Sequence, residues 1–157
     1  MVTTLTRASG KSKPGNRVSG VPDGVYLAGS SMDMDRAREW YGRLIQAGVT
    51  VTSTWIENIT RVGQANPRDA SDAQRRGSAI GCMIEISAAR AIWFLVPASD
   101  RPTRGGWSEL TAAWGFGKHI VCSGDTKQSI MCALGDEFES DEDAFRHVVG
   151  LCMEHRP

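Results

Sequence analysis

Residues 25–56 contain a strand–helix–strand pattern that restricts the fold more than any other feature of the chain. Residues 25–28 form a short apolar run that ends in Gly29-Ser30-Ser31, and apolar residues then recur at helical spacing over 34–45. The β-branched residues over 49–56 predict a second strand after that helix. Two strands joined by a helix form a crossover connection, which is typical of a parallel sheet.

The rest of the chain continues the alternation of helices and strands. Residues 57–76 are polar, and the sequence predicts a loop there that leads into a helix near 69, which continues through 79–89. After it come a buried strand over 91–97, a helix over 107–117, a strand over 119–123 and a last helix capped by Ser140. This order predicts an α/β fold in which helices cover both faces of an open, doubly wound parallel sheet. We expect one such domain over residues 23–157, preceded by a flexible tail over residues 1–22.

Composition excludes several classes of function for a chain of 157 residues. The 18 basic and 18 acidic residues cancel, so the overall charge does not favour nucleic acid or a membrane as a partner. The four cysteines lack a C-x-x-C pair and the three histidines lie at no ligand-like spacing, which favours reduced core thiols over a metal site. Without a signal peptide or an apolar run of about 20 residues, we expect a cytoplasmic protein that binds a small molecule and needs no cofactor.

The carboxyl ends of the predicted strands carry the candidate binding residues, because ligands of doubly wound sheets bind at that edge. The turn Gly29-Ser30-Ser31 offers hydroxyls and backbone N–H groups to phosphate or sugar oxygens. Glu109 is predicted to lie in the first turn of a helix, where the helix dipole favours the ionised carboxylate, and Gly105 and Gly106 leave room beside it. No G-x-G-x-x-G or Walker motif is present, which argues against ordinary dinucleotide or ATP binding.

The tryptophans are predicted to divide between ligand and core. Trp55 and Trp107 fall at the ends of elements and could stack on a flat base, whereas Trp93 and Trp114 are predicted to be core residues.

Residues 25–124 resemble the nucleoside 2-deoxyribosyltransferase family, including its nucleotide N-glycoside hydrolase branch. The resemblance depends on Tyr-Leu-Ala-Gly-Ser at the first strand, Gly-x-x-x-Glu from Gly105 to Glu109, and an Ala-x-x-x-Gly-Lys run that ends at Lys118. It implies a flavodoxin-like sheet, cleavage of the bond between a base and a (deoxy)ribose, and a homodimer or larger homo-oligomer.

The resemblance also implies roles for individual residues. Glu109 would be the nucleophile that attacks the anomeric carbon, and Tyr26 would hydrogen-bond and orient it. Asp100 would protonate or position the departing base, while Ser30 and Ser108 would hold a 5′-phosphate. With the predictions made above from the residues themselves, the candidate substrate-binding residues are Gly29, Ser30, Ser31, Trp55, Gly105, Gly106, Trp107 and Ser108.

The predicted function is cleavage of the N-glycosidic bond of a nucleoside or nucleoside monophosphate, with transfer of the sugar to water or to another base. Such cleavage passes through an oxocarbenium-like state, for which one carboxylate near the sugar and one acid near the leaving group suffice. Two alternatives stay open: a nucleotide-binding sensor module on the same sheet, in which Glu109 is only a capping residue, and an enzyme of similar chemistry that cleaves NAD.

Overall fold

A computed structural model describes residues 24–63, 66–100 and 103–154, which form a parallel β-sheet with helices on both faces. The predicted tail over 1–22 lies outside the described residues. The elements in chain order are β1 (Val25–Ala28), α1 (Met34–Gln46), α2 (Trp55–Val62), α3 (Asp72–Ala88), β2 (Ala91–Leu95), α4 (Arg104–Gly115), β3 (His119–Ser123), β4 (Asp136–Phe138) and α5 (Asp141–Met153). Two short 3₁₀ turns, Thr126–Gln128 and Ile130–Leu134, connect β3 to β4.

The four strands lie in the order β1-β2-β3-β4, and all three pairs are parallel. Outside β1, a single residue, Val51, forms a parallel bridge with Val25. If that bridge is counted as a vestigial strand, the order across the sheet is the 2-1-3-4-5 arrangement of flavodoxin-like folds. The predicted α/β, doubly wound, flavodoxin-like fold class is therefore confirmed.

Residues of β1 and β2 alternate between the two faces of the sheet and are buried on both. Val25 and Leu27 pack with α1 and α5, whereas Tyr26 and Ala28 pack with α3 and α4. Trp93 is fully buried in β2, as predicted.

The prediction that Trp114 is a core residue is wrong, because its side chain is 58% exposed. Helix α4 buries the stripe formed by Gly106, Leu110 and Ala113. Trp114 directly follows that stripe and is turned about 100° away from Ala113 around the helix axis, so it lies outside the core.

The predicted second strand over residues 49–56 is also wrong, apart from the bridge at Val51. The Leu27 N–H donates to the Ser53 hydroxyl (3.1 Å), and the Leu27 carbonyl accepts from the Trp55 indole N–H (2.8 Å). These two side chains satisfy the backbone groups that a neighbouring strand would have paired. The chain is therefore free to turn into α2 at the point where the strand was expected to continue.

Helix α2 occupies part of the segment that was predicted to be a loop. Its apolar residues Ile56, Ile59 and Val62 recur at helical spacing, but over only 8 residues, which is too short for a clear periodic signal. Helix α3 begins at Asp72 rather than near Asp69, after a capping box formed by Ser71 and Gln74.

Helix α5 is capped by Ser140, as predicted, and its first residue, Asp141, connects it to α1 and to the sheet. The Asp141 carboxylate accepts hydrogen bonds from Arg36 Nε (2.8 Å) and Nη2 (2.6 Å), from Trp40 Nε1 (2.9 Å) and from the Ser123 hydroxyl (2.6 Å). Burial alone would raise the pKa of Asp141, but these hydrogen bonds and the charge of Arg36 hold it below its usual value.

We expect Asp141→Asn to lower the free energy of unfolding at neutral pH by about 2–3 kcal/mol, because Arg36 loses its charged partner. A lowered pKa in the folded state means that the ionised form stabilises the fold. The difference between the two proteins should therefore shrink below pH 3.8, as Asp141 becomes protonated. Urea unfolding across pH measures this, with Asp143→Asn at the exposed pair with Arg146 as the control.

Candidate active site

Tyr26 and Glu109 form a hydrogen-bonded pair on the α3/α4 face of the sheet. The Tyr26 hydroxyl, from the middle of β1, donates to Glu109 Oε1 at 2.8 Å. The two residues are 83 positions apart in the sequence, and they meet because α4 packs against β1, β2 and β3 on this face of the sheet. Burial, and then the nearby charge of Glu109, raise the pKa of Tyr26 far above its ordinary value, so the phenol stays a hydrogen-bond donor.

Thr103 anchors the start of α4 beside the turn that follows β1. Its hydroxyl accepts from the Gly106 N–H (3.1 Å) and donates to the Gly29 carbonyl (3.2 Å). The helix therefore begins at Arg104, and Glu109 lies in its second turn rather than in the first turn as predicted.

The expectation that the helix dipole keeps Glu109 ionised needs correction for the same reason, since the dipole effect is confined to the first turn. Burial raises the pKa of Glu109, and the hydrogen bond from Tyr26 and contact with Cys82 offset this in part. The charge of Glu85 raises the pKa of Glu109 further.

Glu109 lines a cavity of about 440 Å³ at the carboxyl end of β1. This cavity brings together seven of the predicted site residues, which are Gly29, Ser30, Ser31, Trp55, Gly105, Gly106 and Glu109. Its remaining lining residues are Thr103 and Arg104. The volume is in the range of small-molecule sites.

Gly106 is required by packing rather than by chain flexibility. A Cβ atom at this position would lie 2.6 Å from Cε2 of Phe94, whereas nothing lies within 4 Å of a Cβ placed on Gly105. Gly106 therefore lets α4 approach β2 closely, and Gly105 leaves the mouth of the cavity open.

A second, larger cavity of about 590 Å³ adjoins the first and shares Ser31 and Trp55 with it. It lies between α2 and α3, and its polar wall includes Thr54, Asn58 and Glu85. The Trp55 ring stands where the two cavities meet, held by its hydrogen bond to Leu27.

The other predicted site residues are not brought to these cavities. Asp100 is exposed in the turn after β2 and is not among the lining residues of either cavity. Ser108 is exposed, and its hydroxyl donates to the Arg104 carbonyl (3.1 Å). The Trp107 ring packs edge-on against Phe94, with 4.6 Å between ring centroids.

Sequence reasoning missed several residues of the site, among them Cys82, Glu85 and Arg104. Cys82 and Glu85 are three positions apart, a spacing that places both on one face of a helix, and this was the available signal. Arg104 was assigned to a loop because the helix was expected to start at Gly106 or Trp107.

Within residues 24–63, 66–100 and 103–154, no group of three His, Cys, Asp or Glu side chains could hold a metal ion. In the same part of the chain, none of the helices is long and apolar enough to cross a membrane. The chain matches no protein-family model, no curated protein and no solved structure.

We expect Glu109→Gln to raise the melting temperature at pH 7–8 by a few degrees, because the glutamine buries no charge. The pKa of Glu109 is raised in the folded state, so its protonated form favours folding, and the wild type loses stability as the pH rises through that pKa. The gain should therefore disappear below pH 4.5. Thermal melts across pH measure this, and the exposed Glu57→Gln serves as the control.

Proposed function

We propose that this protein is an enzyme that cleaves the N-glycosidic bond of a nucleoside or nucleoside monophosphate, with Glu109 as the nucleophile. The observation that supports this best is the Glu109 carboxylate, which receives a hydrogen bond from Tyr26 in the wall of a cavity at the carboxyl edge of the sheet. The second cavity adjoins the first at Trp55, so the two cavities together could hold the two parts of a substrate.

In the proposed reaction the ionised Glu109 attacks the anomeric carbon of a sugar in the smaller cavity. The carbon–nitrogen bond breaks, and its electron pair leaves with the base, which lies in the larger cavity. The resulting glycosyl ester is then opened by water, which gives hydrolysis, or by a second base, which gives transfer. Tyr26 orients the carboxylate, since a neutral phenol can donate a hydrogen bond and cannot compete as a base at neutral pH.

The departing base must also take up a proton, because the electron pair of the broken bond leaves with it. The resemblance assigns delivery of this proton to Asp100, whose exposed position in the turn after β2 is away from both cavities. The carboxylate that lines the larger cavity is Glu85. Assembly into a homodimer or a larger homo-oligomer belongs to the same proposal.

The decisive test is release of free base from a panel of nucleosides and monophosphates, with NAD included. We expect Glu109→Gln to lower kcat by about a thousandfold or more and Tyr26→Phe by about tenfold to a hundredfold. Because the nucleophile must be ionised, kcat/KM should rise with pH through the raised pKa of Glu109, which lies above 4.5.

Tyr41 and Glu57 supply a matched control, because they form the same kind of tyrosine–glutamate hydrogen bond on the outer side of α1 and α2. Tyr41→Phe and Glu57→Gln should leave base release unchanged. Ligand binding by the wild type without release of any base would contradict the proposal and favour the sensor module.

Among the described residues that line the smaller cavity, Arg104 is the cation, and a 5′-phosphate is the substrate group that its charge would favour. Its position at the first residue of α4, beside Ser30 and Ser31, gives an anion both a guanidinium and hydroxyl groups. We expect Arg104→Gln to raise KM for nucleoside monophosphates about tenfold and to leave KM for nucleosides unchanged. Steady-state kinetics on paired substrates measures this, and an equal effect on both would contradict the assignment.

A further inference from the structure

Glu85 presents its carboxylate to the larger cavity in a fixed orientation. Thr54 donates to both of its oxygens, from the backbone N–H to Oε2 (3.2 Å) and from the hydroxyl to Oε1 (2.6 Å). An ionised carboxylate has about four acceptor positions. Both oxygens of Glu85 therefore keep acceptor capacity for a ligand in the cavity that this residue lines.

We infer that the larger cavity binds a guanine base and that Glu85 selects guanine by accepting its two adjacent N–H groups. This inference rests on the proposed function, since it identifies the base that leaves when Glu109 attacks the sugar. It makes Glu85 a specificity-determining residue.

The chemistry of the bases explains why two parallel acceptors favour guanine. Guanine carries an imino N–H and an amino group side by side, which match the two oxygens of a carboxylate in a bidentate arrangement. Adenine and cytosine place a ring nitrogen acceptor beside the amino group, and uracil and thymine place carbonyl oxygens on both sides of the imino N–H. In those bases a lone pair would face the carboxylate. Leaving two acceptors opposed and unpaired in a partly buried site lowers the affinity for such a base strongly.

The other walls of the larger cavity fit a bicyclic base. Trp55, Ile59 and Val62 supply flat and apolar surface for the faces of the ring. The Asn58 amide donates one N–H to the Thr54 hydroxyl (3.3 Å). Its second N–H can donate to the guanine carbonyl, which is next to the imino group.

Binding of nucleotides to the Glu109→Gln protein tests the inference, because this variant keeps the larger cavity intact and cannot form the glycosyl ester. Isothermal titration calorimetry would use the monophosphates of guanosine, inosine, adenosine, cytidine and uridine, and their deoxy forms. We expect guanosine monophosphate to bind about tenfold more tightly than inosine monophosphate, which lacks the amino group, and about a hundredfold more tightly than adenosine monophosphate.

Adding Glu85→Gln to Glu109→Gln should reduce the preference for guanosine over adenosine monophosphate to within about threefold. Adding Glu57→Gln instead, a carboxylate of α2 that lines neither cavity, should leave the preference unchanged. If circular dichroism shows that the Glu85→Gln protein is unfolded, the comparison of guanosine with inosine monophosphate decides alone.

The outcomes separate this inference from the proposed function. Selective binding of guanosine monophosphate without base release by the wild type would support the inference and contradict the function. Release of all bases at similar rates, with equal binding of their nucleotides, would support the function and overturn the inference. Tightest binding of an adenine, cytosine or uracil nucleotide, or no binding of any nucleotide, would also overturn it.

Discussion

Two side-chain hydrogen bonds to Leu27, at the free edge of β1, determine where the candidate site lies. A strand with an unpaired edge must satisfy its backbone N–H and carbonyl groups, and at Leu27 two side chains do so, the Ser53 hydroxyl and the Trp55 indole. This ends the sheet after the bridge at Val51 and turns the chain into α2. Trp55 is thereby held at the carboxyl end of β1, where both cavities meet.

The alternation of β1 decides which residue meets Glu109. Val25 and Leu27 enter the core with α1 and α5, so Tyr26 must point to the face covered by α3 and α4. Its hydroxyl then needs a partner in the interior, and Glu109 provides one. The burial that makes this hydrogen bond persistent also disfavours the ionised carboxylate. A residue that lowers the stability of the fold at neutral pH is typical of sites where reactivity is retained at the expense of stability.

The elements that depend on local, periodic patterns could be predicted from the sequence. The elements whose place depends on a contact between distant parts of the chain could not. Strands β2 and β3 and helix α5 with its Ser140 cap follow from apolar runs and capping residues within a few positions. The expected strand over 49–56 has the β-branched residues of a strand. No local pattern predicts that the side chains of Ser53 and Trp55 would hydrogen-bond the backbone of Leu27. Trp107 and Trp114 are seven residues apart, and this spacing alone does not tell which face of α4 is buried. The pair formed by Tyr26 and Glu109 was available only through the family resemblance. Glu85 lines the larger cavity because α3 lies beside the start of α2, where Thr54 donates to its carboxylate.

The charge of Glu85 acts on the ionisation of Glu109, and this links the proposed base selection to the proposed chemistry. The charge of Glu85 raises the pKa of Glu109, so it opposes ionisation of Glu109, the proposed nucleophile, while the larger cavity holds no base. A base that donates two N–H groups to Glu85 would draw its negative charge toward the ligand and weaken that opposition. By linkage, ionisation of Glu109 and binding of the matching base then favour each other. A base without such donors would leave the repulsion in place, so discrimination at Glu85 would act on reactivity at Glu109 as well as on affinity.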